Sequence, residues 1–433
     1  MSKTSFFVRF LYLCGLLTLT LLSACSKDDP NPDPNPDPDP APKKNRTVLF
    51  YMMDDNNLWN VMENTLNQLE EGWNDEFDGT LLVYLDPSPH LTQYSSPVLL
   101  KIVHDESEAI YSEVVKTYPE QDPVDVTVMK GVLEDAIRLF PADSHGLIIG
   151  THGSAWFPYN LGELIDIPDM GHDDEDHEST QAAVLPAGLT KALGSGERFG
   201  TALEVKDLAQ LLPIKYDFVI FHACLMGNVE TAYELREKCS YLVGCMQPLP
   251  GPGYPYDQTM EYLYTKPQAD LYHFTEKSAE WYYNLPAEAD VNFDVSVIRT
   301  DRLEALAEAT RTLVEKYAAY PDLYFSKLSG NLLFVDEDLP LADLNQAIAL
   351  GCDGNSALQN DYTTFANALE AAIPQKWSVT RQENPNLASP DDFCGMSCYV
   401  PMRDPRVTRL NEYYKTNYSW PAASGFDLLI QSK

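Results

Sequence analysis

Apolar residues in the first half of this chain alternate between short unbroken runs and stripes at helical spacing. Val48–Tyr51, Leu81–Leu85, Leu147–Thr151, Phe218–Ala223 and Tyr241–Gly244 are the runs. Runs of this length, rich in β-branched and aromatic residues, predict strands buried on both faces of a parallel sheet. Between them, Leu58, Val61, Met62, Leu66 and Leu69 form one stripe, preceded by the capping residues Asp54-Asp55-Asn56-Asn57. Met129, Val132, Leu133, Ala136, Ile137 and Phe140 form another. A helix over Asn228–Lys238, with Asn228 as its cap, follows the fourth run. Strand and helix in alternation predict an α/β fold, a mostly parallel sheet with helices on both faces.

The second half continues the same unit. It holds several helical stretches, the tyrosine-rich Tyr262–Tyr283 among them, and two further strands, Phe293–Arg299 and Met396–Val400, expected to extend the same sheet. Residues 158–203 break the alternation and read as a long exposed insertion, acidic around 170–179 and Gly/Ser-rich from Gly188 to Gly200. The expected organisation is 46–256 as a core carrying that insertion, and 257–433 as a C-terminal region continuing the sheet.

The N-terminus is of another kind. Lys3 and Arg9 precede a short apolar stretch, Phe10–Leu22, and then Leu22-Ser23-Ala24-Cys25, which resembles a lipobox. The apolar stretch is short for a membrane span, so 1–24 reads as a signal peptide and Cys25 as the lipidated first residue of the mature chain. Ser26-Lys27-Asp28-Asp29 resembles the acidic tag that sends some lipoproteins to the outer surface of a Gram-negative outer membrane. Prolines alternating with Asn, Asp or Ala over 30–42 make an extended tether, so 25–45 is lipid anchor and spacer.

Formal net charge is −35 for the whole chain, and loss of 1–24, with its two cations and no acids, takes it to −37. Such a surface repels nucleic acid and anionic headgroups. Membrane contact is therefore expected through the lipid anchor alone, and no nucleic-acid partner is expected. His172 and His177 sit among carboxylates at 170–179. They offer a site for a structural divalent ion such as calcium, though their spacing matches no EF-hand; a solvated loop is the plainer reading. Cys224, Cys239, Cys245, Cys352, Cys394 and Cys398 remain after processing, without a CxxC pair that would suggest a zinc ribbon. Cys239 and Cys245 read as small buried hydrophobes. Export permits a disulfide from Cys352 to Cys394 or Cys398, and the sequence does not decide it.

Two residues carry chemistry. His152-Gly153 follows the third run and Cys224 the fourth. In open α/β sheets, chemistry gathers at the carboxyl ends of strands, where a cysteine and a histidine meet as nucleophile and base. Gly150-Thr151-His152-Gly153-Ser154-Ala155-Trp156, Phe221–Glu230 with Tyr233-Glu234-Leu235, Tyr51–Leu58 and Pro250–Tyr256 together resemble the clostripain family of cysteine peptidases, whose fold is caspase-like.

The resemblance implies a three-layer sandwich and peptide-bond hydrolysis through a thioester. It makes Cys224 the nucleophile and His152 the acid–base, and places the oxyanion at the backbone N–H groups of Gly153 and Cys224. This chemistry needs no cofactor. The dipole of the helix after Cys224 is expected to favour its thiolate. The family usually has Asp two residues before the nucleophile, where this chain has His222; members selective for basic side chains also carry acids in the stretch that is Cys245–Leu249 here, which has none. His222, Gln247 and Trp156 are candidate substrate contacts, and Arg/Lys selectivity is in doubt. Cleavage in the insertion would fall at Lys191 or Arg198. The expected partner is a peptide or protein substrate, met by a monomer. The rival reading is a surface lipoprotein that binds on a peptidase scaffold without turnover. A serine esterase is disfavoured by the lack of a G-x-S-x-G elbow.

Overall fold

The computed structural model describes residues 38–53, 58–91, 93–107, 109–165, 193–196, 201–286, 288–289, 291–336, 339–382 and 387–430. The signal peptide, Cys25, Asp54–Asn57, His172, His177, Lys191 and Arg198 lie outside the described residues.

The strands are β1 (Lys44–Met53), β2 (Gly79–Asp86), β3 (Val98–Lys101), β4 (Glu113–Thr117), β5 (Ala142–Gly150), β6 (Leu193–Gly196), β7 (Thr201–Leu203), β8 (Tyr216–His222), β9 (Cys239–Gly244), β10 (Phe293–Arg299), β11 (Leu341–Asp343), β12 (Gln375–Val379) and β13 (Ser397–Tyr399). Nine of them form one sheet in the order β12-β10-β9-β8-β5-β1-β2-β3-β4. The five at its centre, β9-β8-β5-β1-β2, are mutually parallel. Antiparallel strands flank them on both sides.

Helices α1 (Trp59–Gly72), α2 (Val126–Leu139), α3 (Val205–Leu211), α4 (Val229–Glu234), α5 (Tyr256–Leu263), α6 (Leu271–Tyr283) and α7 (Leu303–Ala319) divide between the two faces. Leu49, Tyr51, Leu147, Ile149, Val219 and Phe221 point to the face covered by α2, α3, α4 and α7. Val48, Phe50, Ile148, Phe218 and Ile220 point to the face covered by α1, α5 and α6. Alternate residues of one strand thus enter two different cores, which is why those strands read as unbroken apolar runs rather than as alternating ones.

Two expectations are corrected. Met396–Val400 does not extend the main sheet: β13 pairs with β11 in a separate two-stranded ribbon, and β12 takes the edge beside β10. Helix α4 ends at Glu234, well short of Lys238, because the chain turns through the Lys238 N–H to Leu235 carbonyl bond into β9. Cys352, Cys394 and Cys398, which the sequence left open as a disulfide, form none, and the Cys352 Sγ meets the Tyr317 hydroxyl at 2.9 Å. Cys239 and Cys245 are buried.

Candidate active site

Parallel pairing sets the site. Gly150, the last residue of β5, lies opposite His222, the last of β8. Two residues further along each strand come His152 and Cys224, so both leave the sheet at the same level on its carboxyl edge. The Thr151 N–H donates to the His222 carbonyl at 3.2 Å and carries the pairing one step beyond the strands. A Cβ added to Gly153 would stand 2.3 Å from the Cys224 carbonyl oxygen and 3.2 Å from the Cys224 nitrogen. Only glycine permits that approach. It sets the backbone of Gly153 against that of Cys224, the two residues expected to supply oxyanion donors.

Cys224 begins a tight turn, and its thiol is half-buried. Leu225 is left-handed (φ 64°), a conformation that costs a non-glycine residue about 1 kcal/mol or more. The turn is held from several sides. The Leu225 N–H donates to the Gln247 carbonyl (3.2 Å) and the Gly227 N–H to the Cys245 carbonyl (2.7 Å). Asn228 caps α4 by accepting from the Thr231 N–H (2.8 Å), and its amide donates back to the Leu225 carbonyl (2.9 Å). The Gly227 carbonyl accepts from the Ser397 N–H (2.9 Å). The helix begins only at Val229 and has six residues, so the turn, more than a helix dipole, fixes the setting of Cys224. Across from the thiol runs the stretch after β9, whose Leu249 carbonyl lies 3.9 Å from Sγ.

His222, a candidate substrate contact in the sequence, is instead buried in the opposite core. Its ring lies between Phe50, Tyr254 and Tyr256, parallel to Tyr256, and shares a 3.3 Å hydrogen bond with the Tyr256 hydroxyl. A Cβ on Gly253 would fall 2.2 Å from the ring, so glycine is required above it too. Burial in this box pushes the imidazole down to about 4, so His222 is neutral near pH 7.

Gln247 is almost fully buried; its amide donates to the Val335 carbonyl at 3.3 Å. Trp156 is corrected outright. At 1% exposure it has no face for a substrate, and it packs against Phe157, Tyr399, Tyr414 and Tyr418. The Tyr418 hydroxyl donates to the Trp156 carbonyl at 2.7 Å, anchoring the His152 loop to the C-terminal region.

Two buried acids were missed by sequence reasoning. Asp294 in β10 accepts from the Met246 N–H (2.7 Å) and the Gln247 N–H (3.0 Å). Glu230 in α4 accepts from the Tyr399 N–H (2.9 Å) and the Tyr414 hydroxyl (3.0 Å). Burial raises both to about 7. The available signal was an acid inside a strongly apolar segment, Phe293-Asp294-Val295 and Val229-Glu230-Thr231. Among the described residues, no group of His, Cys, Asp and Glu is arranged to hold a metal ion, and no helix is long and apolar enough to cross a membrane.

A family model described as the clostripain family matches residues 50–333. Clostripain of Hathewaya histolytica is 24% identical over 238 residues, covering 50% of this chain and 41% of that protein, so the chain spans less than half of that relative. Among solved structures, a secreted C11 cysteine protease from Bacteroides thetaiotaomicron, in complex with an irreversible peptide inhibitor, is 26% identical at a TM-score of 0.66, covering 88% of this chain and 99% of that one. An inactive zymogen C11 protease from Parabacteroides distasonis shares the fold at a TM-score of 0.67 and 24% identity, with 89% and 99% covered.

Proposed function

This chain belongs to the clostripain family, and on that premise we propose that it is a cysteine endopeptidase working through Cys224 and His152. The observation that carries the proposal is the β5–β8 register, which brings the two residues off the sheet at one level. The Cys224 thiolate attacks the scissile carbonyl, and the oxyanion forms against the N–H groups of Gly153 and Cys224. His152 gives its proton to the leaving amine, and a thioester remains. Water, deprotonated by His152, then releases the acid and restores the thiol.

The residue accepted before the cut is neutral or acidic, not Arg or Lys. A guanidinium or ammonium buried without a countercharge is costly. Position 222 holds a neutral buried histidine, and Cys245–Leu249 carries no carboxylate. The sequence further supports a lipoprotein held by Cys25 at the outer surface of a Gram-negative cell.

Digestion of a diverse peptide pool tests the activity. The chain should cut, Cys224→Ala and His152→Ala should not, and cut sites should follow neutral or acidic residues rather than Arg or Lys. Cutting after Arg or Lys would overturn the specificity. Absence of cutting by the folded chain, together with equal Cys224 reactivity toward an electrophilic peptide in the His152→Ala variant, would favour the binding scaffold.

A further inference from the structure

The stretch after β9 is one wall of the site. In the strand order β9-β8-β5, His152 flanks Cys224 on the β5 side and Met246–Leu249 on the β9 side. Nothing in that stretch is regular secondary structure, yet it must hold two carbonyls against the nucleophile turn. The Gln247 carbonyl takes the Leu225 N–H, and the Leu249 carbonyl faces the Cys224 thiol. Its fixed point is a side chain from the neighbouring strand. Antiparallel pairing sets Ser296 opposite Gly244, so Asp294 lies level with Met246, just past the end of β9. Both oxygens of its carboxylate are used there, one on each of two consecutive N–H groups.

We propose that Asp294 is the positioning residue of this wall, holding Met246 and Gln247 so that the stretch keeps its register against the Cys224 turn when a peptide is bound. This rests on the reading of Cys224 as the nucleophile. Asp294 touches neither substrate nor thiol; it acts through the backbone of Met246 and Gln247. A carboxylate suits the task because it is an acceptor at both oxygens and its charged form makes the stronger hydrogen bonds. Burial opposes that charge and raises the group to about 7, so the wall is held most firmly above neutral pH. The titratable groups facing Asp294 are the Cys245 thiol at the end of β9 and the Tyr254 phenol of the following turn. Burial raises both well above their usual ranges, so neither supplies charge. Its partners across the sheet in β12 and along its own strand, Ser378 and Ser296, do not ionise.

Two measurements on the full chain test this. The first needs no activity. In the Cys224→Ala variant labelled with ¹⁵N-methionine, the Met246 amide resonance, assigned by its loss in Met246→Leu, should move with pH about a midpoint near 7. That movement should vanish in Asp294→Asn. The second compares two reagents on the active chain. Asp294→Asn must turn an amide donor toward one of two N–H groups. It should slow labelling of Cys224 by an electrophilic peptide tenfold or more, since small misplacements of a binding wall are costly. Iodoacetamide, which does not use the wall, should react within twofold of the native rate, and Asp294→Glu should recover part of the peptide rate. A Met246 amide resonance in the folded protein that Asp294→Asn leaves unmoved overturns the proposal even if peptide labelling of the native chain is intact. Equal losses with both reagents, tracking a loss of fold, overturn it as well. A native chain that the peptide does not label removes the Cys224 reading beneath it.

Discussion

His222 and Gly253 fit one another as a pair: the imidazole fills the space a Cβ at 253 would occupy. This makes His222 a source of acid sensitivity. Its folded value is about 4, below the ordinary histidine value of 6.5. Between those limits the unfolded chain holds the extra proton, so stability rises with pH across the window and is lost as pH falls from about 6.5 to 4. The shift corresponds to at most about 3 kcal/mol. Glu230 and Asp294, both raised to about 7, act in the opposite sense over an overlapping range, because their folded forms hold the proton longer. Their effect is common to wild type and variant, so the difference between the two isolates the histidine. His222→Phe introduces a pH-independent packing offset. Against it, the unfolding free energy of the variant relative to wild type should improve steadily from pH 7 to pH 4 in denaturant titrations. A flat difference would show that the imidazole is not held neutral. At this scale the sequence identified the unusual residue at position 222 but not its setting, because Phe50, Tyr254 and Gly253 reach it only through tertiary structure.

Element by element, legibility followed burial. β1, β2, β5, β8 and β9 enter cores on both faces, and their apolar runs mark them. β12 and β4 are edge strands with few buried residues, and half-exposed segments such as Gln375-Lys376-Trp377-Ser378-Val379 carry no run to find. The start of α4 was legible because a cap is a local chemical signal; its end depends on the turn into β9. Asn228 serves two elements at once, and two substitutions test its roles. Asn228→Ala loses the cap on Thr231 and the bond to the left-handed Leu225. It should lower stability by about 1–2 kcal/mol and slow peptide labelling of Cys224. Asn228→Asp keeps the acceptor for Thr231 but cannot donate to the Leu225 carbonyl. It should also lose stability, because a buried carboxylate oxygen would face that carbonyl, and it should still label slowly. Equal labelling by Asp and wild type would show that the turn holds its shape without that donor.

The site belongs to the whole molecule more than the local motifs suggest. His152 and Cys224 both precede residue 225, yet their supports arrive from far along the chain: Asp294 on the Met246–Leu249 wall, Ser397 on Gly227, Tyr399 and Tyr414 on Glu230, and Tyr418 on Trp156. The contacts from Pro40 to the C-terminus form one compact unit. Pattern reading found Phe293–Arg299 as a strand but could not give it a neighbour, since antiparallel pairing across some fifty residues leaves no periodic trace. Physically, β10 covers the outer edge of β9, and without it a row of N–H and C=O groups would be unpaired. Trp156 would also lose three of its four aromatic neighbours, and Glu230 both of its hydrogen-bond donors from beyond residue 256. A chain of residues 38–256 should therefore lack a cooperative thermal transition, bind an apolar dye, and leave Cys224 unlabelled by the peptide, whereas 38–433 should melt in one step and be labelled. Cooperative unfolding and specific labelling of the short chain would mean that the C-terminal region is an accessory, and that the turn at Cys224 is held by its own half of the sheet.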